Sequence, residues 1–214
     1  MQKAVIFDLD GTLIHSLPEI LHLVNHTINK FGGKEQTLES IKPLIGYGAK
    51  YLIDNCFIGC SEEQLEERLK YYKGIYALSD NSLTTLFDGV DVMLKTLKSR
   101  GYKLAIVTNK PQGGTDTVYN RYLSQYQFDL VIGQSELFPC KPNEASTLFV
   151  LEKLGVKKEN AYFVGDGETD VITALNAGVK PVSVLWGYRG KEQLQQAGAT
   201  CFAQTADQLL DILL

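Results

Sequence analysis

Five short apolar runs punctuate longer segments of helical periodicity: AVIF at 4–7, KLAIV at 103–107, LVI at 130–132, AYFV at 161–164 and PVSVL at 181–185. They read as near-continuous rather than alternating, which is the pattern of parallel strands covered by helices on both faces. The chain is therefore expected to be α/β, with a doubly wound, Rossmann-like parallel sheet.

Between the first run and the rest, residues 16–79 show helical periodicity and almost no β-branched clusters. Ser16 followed by Pro18 and Glu19 predicts a capped helix running to Phe31 and stopping at Gly32-Gly33. Further helices are expected near Thr37, after Gly46-Tyr47-Gly48, and from Ser61, where acidic residues come first and basic ones later. After the second run, Gly113-Gly114 delays helix formation, so the next helix is predicted to begin only at Thr115. This division predicts an α/β core of residues 1–14 and 84–214 with an all-α insert at 15–83.

Composition narrows the function. The net charge is −4, from 21 Lys+Arg against 25 Asp+Glu, and the basic residues are spread along 214 positions. No basic stripe suits nucleic acid, and no segment approaches the ~20 apolar residues of a membrane span. The apolar stretch near Met1 is too short for a secretion signal, so Met1 is expected to open the folded core. Cys56, Cys60, Cys140 and Cys201 lack metal-ligand spacing and read as reduced thiols of a cytoplasmic protein. His22 and His26 form an i,i+4 pair with no third ligand nearby and read as solvated helix surface.

In open parallel sheets, ligands gather beyond the carboxyl ends of the strands. The first run ends in Asp8-Leu9-Asp10, the second in Thr108-Asn109-Lys110, and the third leads to Cys140-Lys141-Pro142. The fourth ends in Gly165-Asp166, with Glu168, Thr169 and Asp170 beyond. Residues i and i+2 of a strand share a face, so Asp8 and Asp10 can address one ligand. Crowded acids raise one another's pKa unless a cation neutralises them, and a hard oxygen-seeking dication, Mg2+ for choice, suits such a donor set. Thr108 offers a hydroxyl and Lys141 a point charge for phosphate.

Together, FDLDGTL, IVTNK, CKP and VGDGETD resemble the motifs of the haloacid dehalogenase-like hydrolase superfamily, and the resemblance spans essentially the whole chain. DLDGTLIHSLPEI, TNKP and VLWGYRG are most similar to its phosphoglycolate phosphatase-like subgroup, which carries a small helical cap. The resemblance implies a Mg2+-dependent phosphomonoester hydrolase acting on a small phosphorylated metabolite. It casts Asp8 as the nucleophile that becomes an aspartyl phosphate and Asp10 as general acid and base. It implies that Asp8, the Asp10 carbonyl and Asp166 hold the metal, with Asp170 behind them. Gly11, Thr108, Asn109 and Lys141 would bind the phosphate, and the cap residues Tyr47, Lys50 and Arg68 would read the substrate. His15, Gly113-Gly114, Glu144 and Gly167 depart from the family pattern without removing a reacting group. A sugar-phosphate mutase or a pyrophosphatase of the same superfamily is the alternative, and the protein is expected to be a monomer or homodimer.

Overall fold

The structure, a computed structural model, describes residues 2–214. Met1, expected to open the core, lies outside the described residues. The chain runs through β1 (Ala4–Phe7), β2 (Ile14–His15), α1 (Leu17–Phe31), α2 (Leu38–Ile41), α3 (Ala49–Cys56), α4 (Glu62–Leu78) and β3 (Thr85–Leu86). It continues through α5 (Val90–Ser99), β4 (Lys103–Pro111), α6 (Gln112–Val118), β5 (Leu130–Gln134), α7 (Ala145–Leu154) and β6 (Ala161–Gly165). It ends with α8 (Glu168–Ala177), β7 (Lys180–Val184), α9 (Lys191–Gln196), β8 (Phe202–Ala203) and α10 (Ala206–Leu213).

Six strands form a parallel sheet in the order β5-β4-β1-β6-β7-β8, so the chain winds outward from β1 in both directions. Side-chain alternation divides β1 between two cores. Val5 and Phe7 join Leu94, Leu97, Leu209 and Leu213 of α5 and α10 on one face. Ala4 and Ile6 join Val150, Leu151, Ala174 and Ala177 of α7 and α8 on the other. Both faces are dry, which is why the strands read as continuous apolar runs.

The register places the chemistry. Phe7 lies beside Ile106 on one side and Val164 on the other. Continuing each strand by one or two residues brings Asp8, Thr108 and Asp166 to the same edge.

Helices α1–α4 pack around a separate cluster that includes Ile20, Val24, Ile41, Leu52, Ile53, Tyr72 and Tyr76. The chain enters and leaves this layer through the antiparallel pair β2–β3, where Ile14 faces Leu86 and His15 faces Thr85. Ser61 and Gln64 form the capping box that starts α4, as the sequence indicated.

Two local expectations were overturned. Ser16 precedes α1 but makes no side-chain cap. Its backbone N–H and that of Leu17 donate instead to Tyr188 Oη, at 3.0 and 3.1 Å. Glu19, expected to complete the cap, accepts from Ser79 Oγ at 2.6 Å and from the Leu83 amide at 3.0 Å. Likewise α6 begins at Gln112 rather than at Thr115. Tertiary packing explains the glycines: a Cβ at Gly113 would meet Ala77 Cβ at 2.9 Å, and one at Gly114 would meet the Tyr76 ring at 3.1 Å. The pair lets α6 approach α4 closely.

Gly→Ala in a helix interior ordinarily stabilises by about 1 kcal/mol. At this contact the added methyl overpacks, at a cost of about 1–3 kcal/mol. Gly113→Ala and Gly114→Ala should each lower the urea midpoint, and a raised midpoint would show that α4 and α6 are not held this close.

Candidate active site

Asp8 leaves β1 with its backbone N–H bonded to the Val164 carbonyl at 2.9 Å, which fixes the first acid beside β6. Its side chain is buried. Lys141 Nζ stands 2.8 Å from Asp8 Oδ1, an ion-pair contact lying off the line of a hydrogen bond. The same ammonium donates to Asp170 Oδ1 at 2.6 Å, and Asp170 Oδ2 accepts from the Gly167 amide at 2.9 Å. Asp170 thus starts α8, braces Lys141 and has both oxygens engaged.

Asp166 sits in a slot with glycine walls. A Cβ on Gly11 would come within 2.3 Å of Asp166 Oδ2, and one on Gly187 within 2.3 Å of Asp166 Cβ. Gly11 is also held at φ 90°, a conformation that favours glycine. Thr12 Oγ1 donates to Asp166 Oδ1 at 3.1 Å, and the Tyr188 amide donates to Oδ2 at 2.7 Å. Oxygens of Asp8, Asp166 and Asp170 lie within 4.8 Å of one another, the one such cluster among the described residues.

Burial dominates the electrostatics. It pushes Asp166 up to about 8, and the neighbouring charges of Asp8 and Asp170 push the same way against the two hydrogen bonds. Asp8 is also raised by burial, with Lys141 opposing. Burial works against the charge of Lys141, but Asp170 and Asp8 together hold it above the ordinary lysine value. A cluster that offers only oxygen donors, with Asp8 and Asp166 resisting ionisation, fits a hard divalent cation.

Asp10 turns away from this cluster. Its Oδ1 accepts from Ser16 Oγ at 2.5 Å, and Lys110 Nζ approaches Oδ1 at 2.9 Å and Oδ2 at 3.2 Å. Lys110 is buried and also meets Tyr76 Oη. Burial lowers its pKa, with Asp10 opposing. Thr108 is buried, and its Oγ1 accepts from the Lys110 amide. Asn109 is a bracket: Nδ2 donates to the carbonyls of Gly46 at 2.9 Å and Lys141 at 3.0 Å, while Oδ1 accepts from the Lys141 amide at 2.7 Å.

A cavity of about 40 Å³ separates Asp8 and Asp10 from the helical layer, whose walls include Ile20, Leu44, Leu52, Tyr72 and Tyr76. The cap residues expected to read a substrate are not among its lining. Lys50 is 61% exposed and pairs with Asp54 at 2.7 Å. Arg68 lies between the rings of Phe31 and Phe57, at 5.1 and 5.2 Å, inside the helical cluster. Tyr47 packs at a tilt against Tyr51 and lies under the Arg189 guanidinium. Helical periodicity could not distinguish a cation facing the site from one facing its own helical neighbours.

Several residues that organise the site went unassigned in the sequence. Lys110 follows Thr108-Asn109 directly, and its signal was a lysine inside a strand that continues to Pro111. Trp186, Tyr188 and Arg189 come from a fifth strand exit, after β7. Trp186 Nε1 donates to the Thr12 carbonyl at 3.0 Å. Arg189 donates to the carbonyls of Lys42, Pro43 and Ile45 and, through Nε, to Glu168 Oε2 at 3.0 Å. His15 packs between Phe87 and Tyr188, and burial lowers its pKa.

The family model for haloacid dehalogenase-like hydrolase matches residues 5–184. The chain belongs to this hydrolase family. Phosphoglycolate phosphatase 1 of Pseudomonas aeruginosa is 32% identical over 219 residues, covering 100% of this chain and 79% of that protein. The phosphoglycolate phosphatase of Xanthomonas campestris pv. campestris strain 8004 is 34% identical over 191 residues, covering 87% and 85%. A Lactobacillus delbrueckii protein proposed to be a phosphoglycolate phosphatase has a crystal structure that superposes with a TM-score of 0.91 at 27% identity, covering 100% of this chain and 99% of that one. Family and relatives agree on an enzyme of the phosphatase type, resembling the phosphoglycolate phosphatases. No helix among the described residues is long and apolar enough to cross a membrane.

The raised carboxylates of this hydrolase give a pH signature. A buried acid whose folded pKa exceeds its unfolded value favours the fold at low pH and loses that contribution as pH rises, here between about 4 and about 8 for Asp166. A divalent cation replaces the missing proton, so the cation-induced rise in Tm should grow from pH 5.5 to 8.5. A rise that is flat or shrinks with pH would place the cation elsewhere.

Proposed function

We propose that the protein is a Mg2+-dependent phosphomonoester hydrolase of the phosphoglycolate phosphatase kind, working through an aspartyl-phosphate intermediate. The observation that carries this reading is the pairing of two acids in different settings at one sheet edge. Asp8 faces the acid cluster and Lys141, Asp10 faces Lys110 and Ser16, and both line the cavity.

Asp8 attacks phosphorus, forming the carboxyl–phosphoryl bond as the bond to the leaving oxygen breaks. Asp10 gives its proton to that oxygen and then takes one from the water that hydrolyses the intermediate. Lys141 keeps Asp8 ionised, and with Thr108 and the amides of Gly11 and Asn109 it holds the transferred phosphoryl group. Asp8, the Asp10 carbonyl and Asp166 would hold Mg2+, with Asp170 orienting from behind; bound there, it would supply charge neutralisation for the acids and the phosphate oxygens.

Residues 15–83 act as a cap over a core of 1–14 and 84–214, excluding water from the cavity. A space of about 40 Å³ with mainly apolar and tyrosine walls favours a small leaving group over the hexose of a mutase. Four free thiols support a cytoplasmic setting.

With p-nitrophenyl phosphate, turnover should require added magnesium chloride, and Asp8→Asn should abolish it. Activity without divalent cation, or in Asp8→Asn, would remove this mechanism. Asp10→Asn should lose ~10²–10⁴-fold in kcat, as expected for a proton-transfer group. A near-normal rate with an alkyl phosphate would refute that role.

A further inference from the structure

We propose that Lys110, assisted by Tyr72, reads a carboxylate on the substrate's leaving group, one carbon from the ester oxygen. This rests on the phosphatase reading above and says which residues give it its substrate.

Among the cavity-lining residues, Lys110 is the single lysine, arginine or histidine. The other nearby cations are committed. Lys141 is held between Asp8 and Asp170, Lys50 pairs with Asp54 outside, Arg68 lies between two phenylalanines, and Arg189 is spent on backbone carbonyls and Glu168. The Asn109 amide is likewise engaged with Gly46 and Lys141. A substrate anion entering this cavity therefore has one ammonium to meet.

Position makes that meeting specific. Lys110 Nζ is 2.9 and 3.2 Å from the two oxygens of Asp10, the residue assigned to the leaving oxygen. An anion on the adjacent carbon of the leaving group falls within reach of the same ammonium. A lysine has three donors, and Lys110 spreads them over Asp10 and Tyr76 Oη. Turning one Asp10 oxygen toward the ester frees a donor for the incoming carboxylate. The lysine then screens the substrate anion from Asp10, which would otherwise repel it.

Tyr72 supplies the second contact. It is 2% exposed and lines the cavity, and its ring packs edge-on against Tyr76. Its hydroxyl makes no hydrogen bond with the described residues, so a donor without a partner lines the cavity beside Ile20, Leu44 and Leu52. A buried phenol usually has a partner. The helical layer adds the aliphatic side chains of Ile20, Leu44, Ile45 and Leu52, and burying a carboxylate against them without a cation is strongly unfavourable.

The test compares kcat/KM for 2-phosphoglycolate and for ethyl phosphate, which carries a methyl group in place of the carboxylate, in magnesium chloride. Wild type should prefer 2-phosphoglycolate by ~10²-fold or more, the scale of losing a buried charge partner. Lys110→Met should cut that ratio at least about tenfold, chiefly through KM for the carboxylate substrate, and Tyr72→Phe should cut it several-fold. A residue that merely supports the fold lowers both substrates alike, so an unchanged ratio in both variants overturns the proposal. Should Lys110→Met not fold, Tyr72→Phe and Lys110→Arg, which moves the charge, decide the question by the same ratio. Wild-type turnover of both esters without preference overturns this proposal and leaves the phosphatase reading standing. Absence of turnover of both esters and of p-nitrophenyl phosphate overturns the phosphatase reading itself.

Discussion

Asp8, Asp166 and Asp170 bring carboxylate oxygens within 4.8 Å of one another in a buried site, and Lys141 is the one ammonium placed among them. In water such a pair of contacts would contribute little, but desolvated charges interact strongly and cannot be left unmatched. One positive charge against three carboxylates leaves an excess of negative charge, which burial expresses as the raised pKa values of Asp8 and Asp166. The site is thus built to accept more positive charge, from protons at low pH and from a dication above it. The glycines at 11, 165 and 187 follow from the same demand, since a Cβ at any of them would strike Asp166 or Asp170 at 2.3 Å.

The sheet supplies the precision. Because β1, β4 and β6 are in parallel register, one residue beyond Phe7 and two beyond Ile106 and Val164 deliver Asp8, Thr108 and Asp166 to one rim. A slip of one residue in any strand would send its polar group to the opposite face. Two dry faces make such a slip costly, so the hydrophobic core and the chemistry are specified by the same alternation.

This explains what could be read from the sequence. Strand identity, the parallel sheet and the acids at the strand exits depend on local pattern, and AVIFDLDG, KLAIVTN and AYFVGD carry it in full. Three features depend on side-chain contacts that the local pattern does not show. Ser16 has the spacing of a helix cap, but its hydroxyl is drawn to Asp10, and a tyrosine 172 positions away takes over the capping. Gly113-Gly114 has the look of a helix breaker, yet it opens α6 because α4 lies against it. Lys50 and Arg68 have the charge to read an anion but face Asp54 and a pair of phenylalanines. Charge type is visible in a sequence, whereas the direction a side chain takes from a helix depends on neighbours supplied by other segments.

The segment Trp186–Arg189 has a mechanical consequence. Tyr188 holds Asp166 through its amide and the start of α1 through its hydroxyl, while Arg189 grips three carbonyls between Lys42 and Ile45. Lifting the helices off the sheet must break these bonds together, because two adjacent residues carry them all. The two layers are latched at a single bolt, and that bolt is threaded through the acid at the centre of the site.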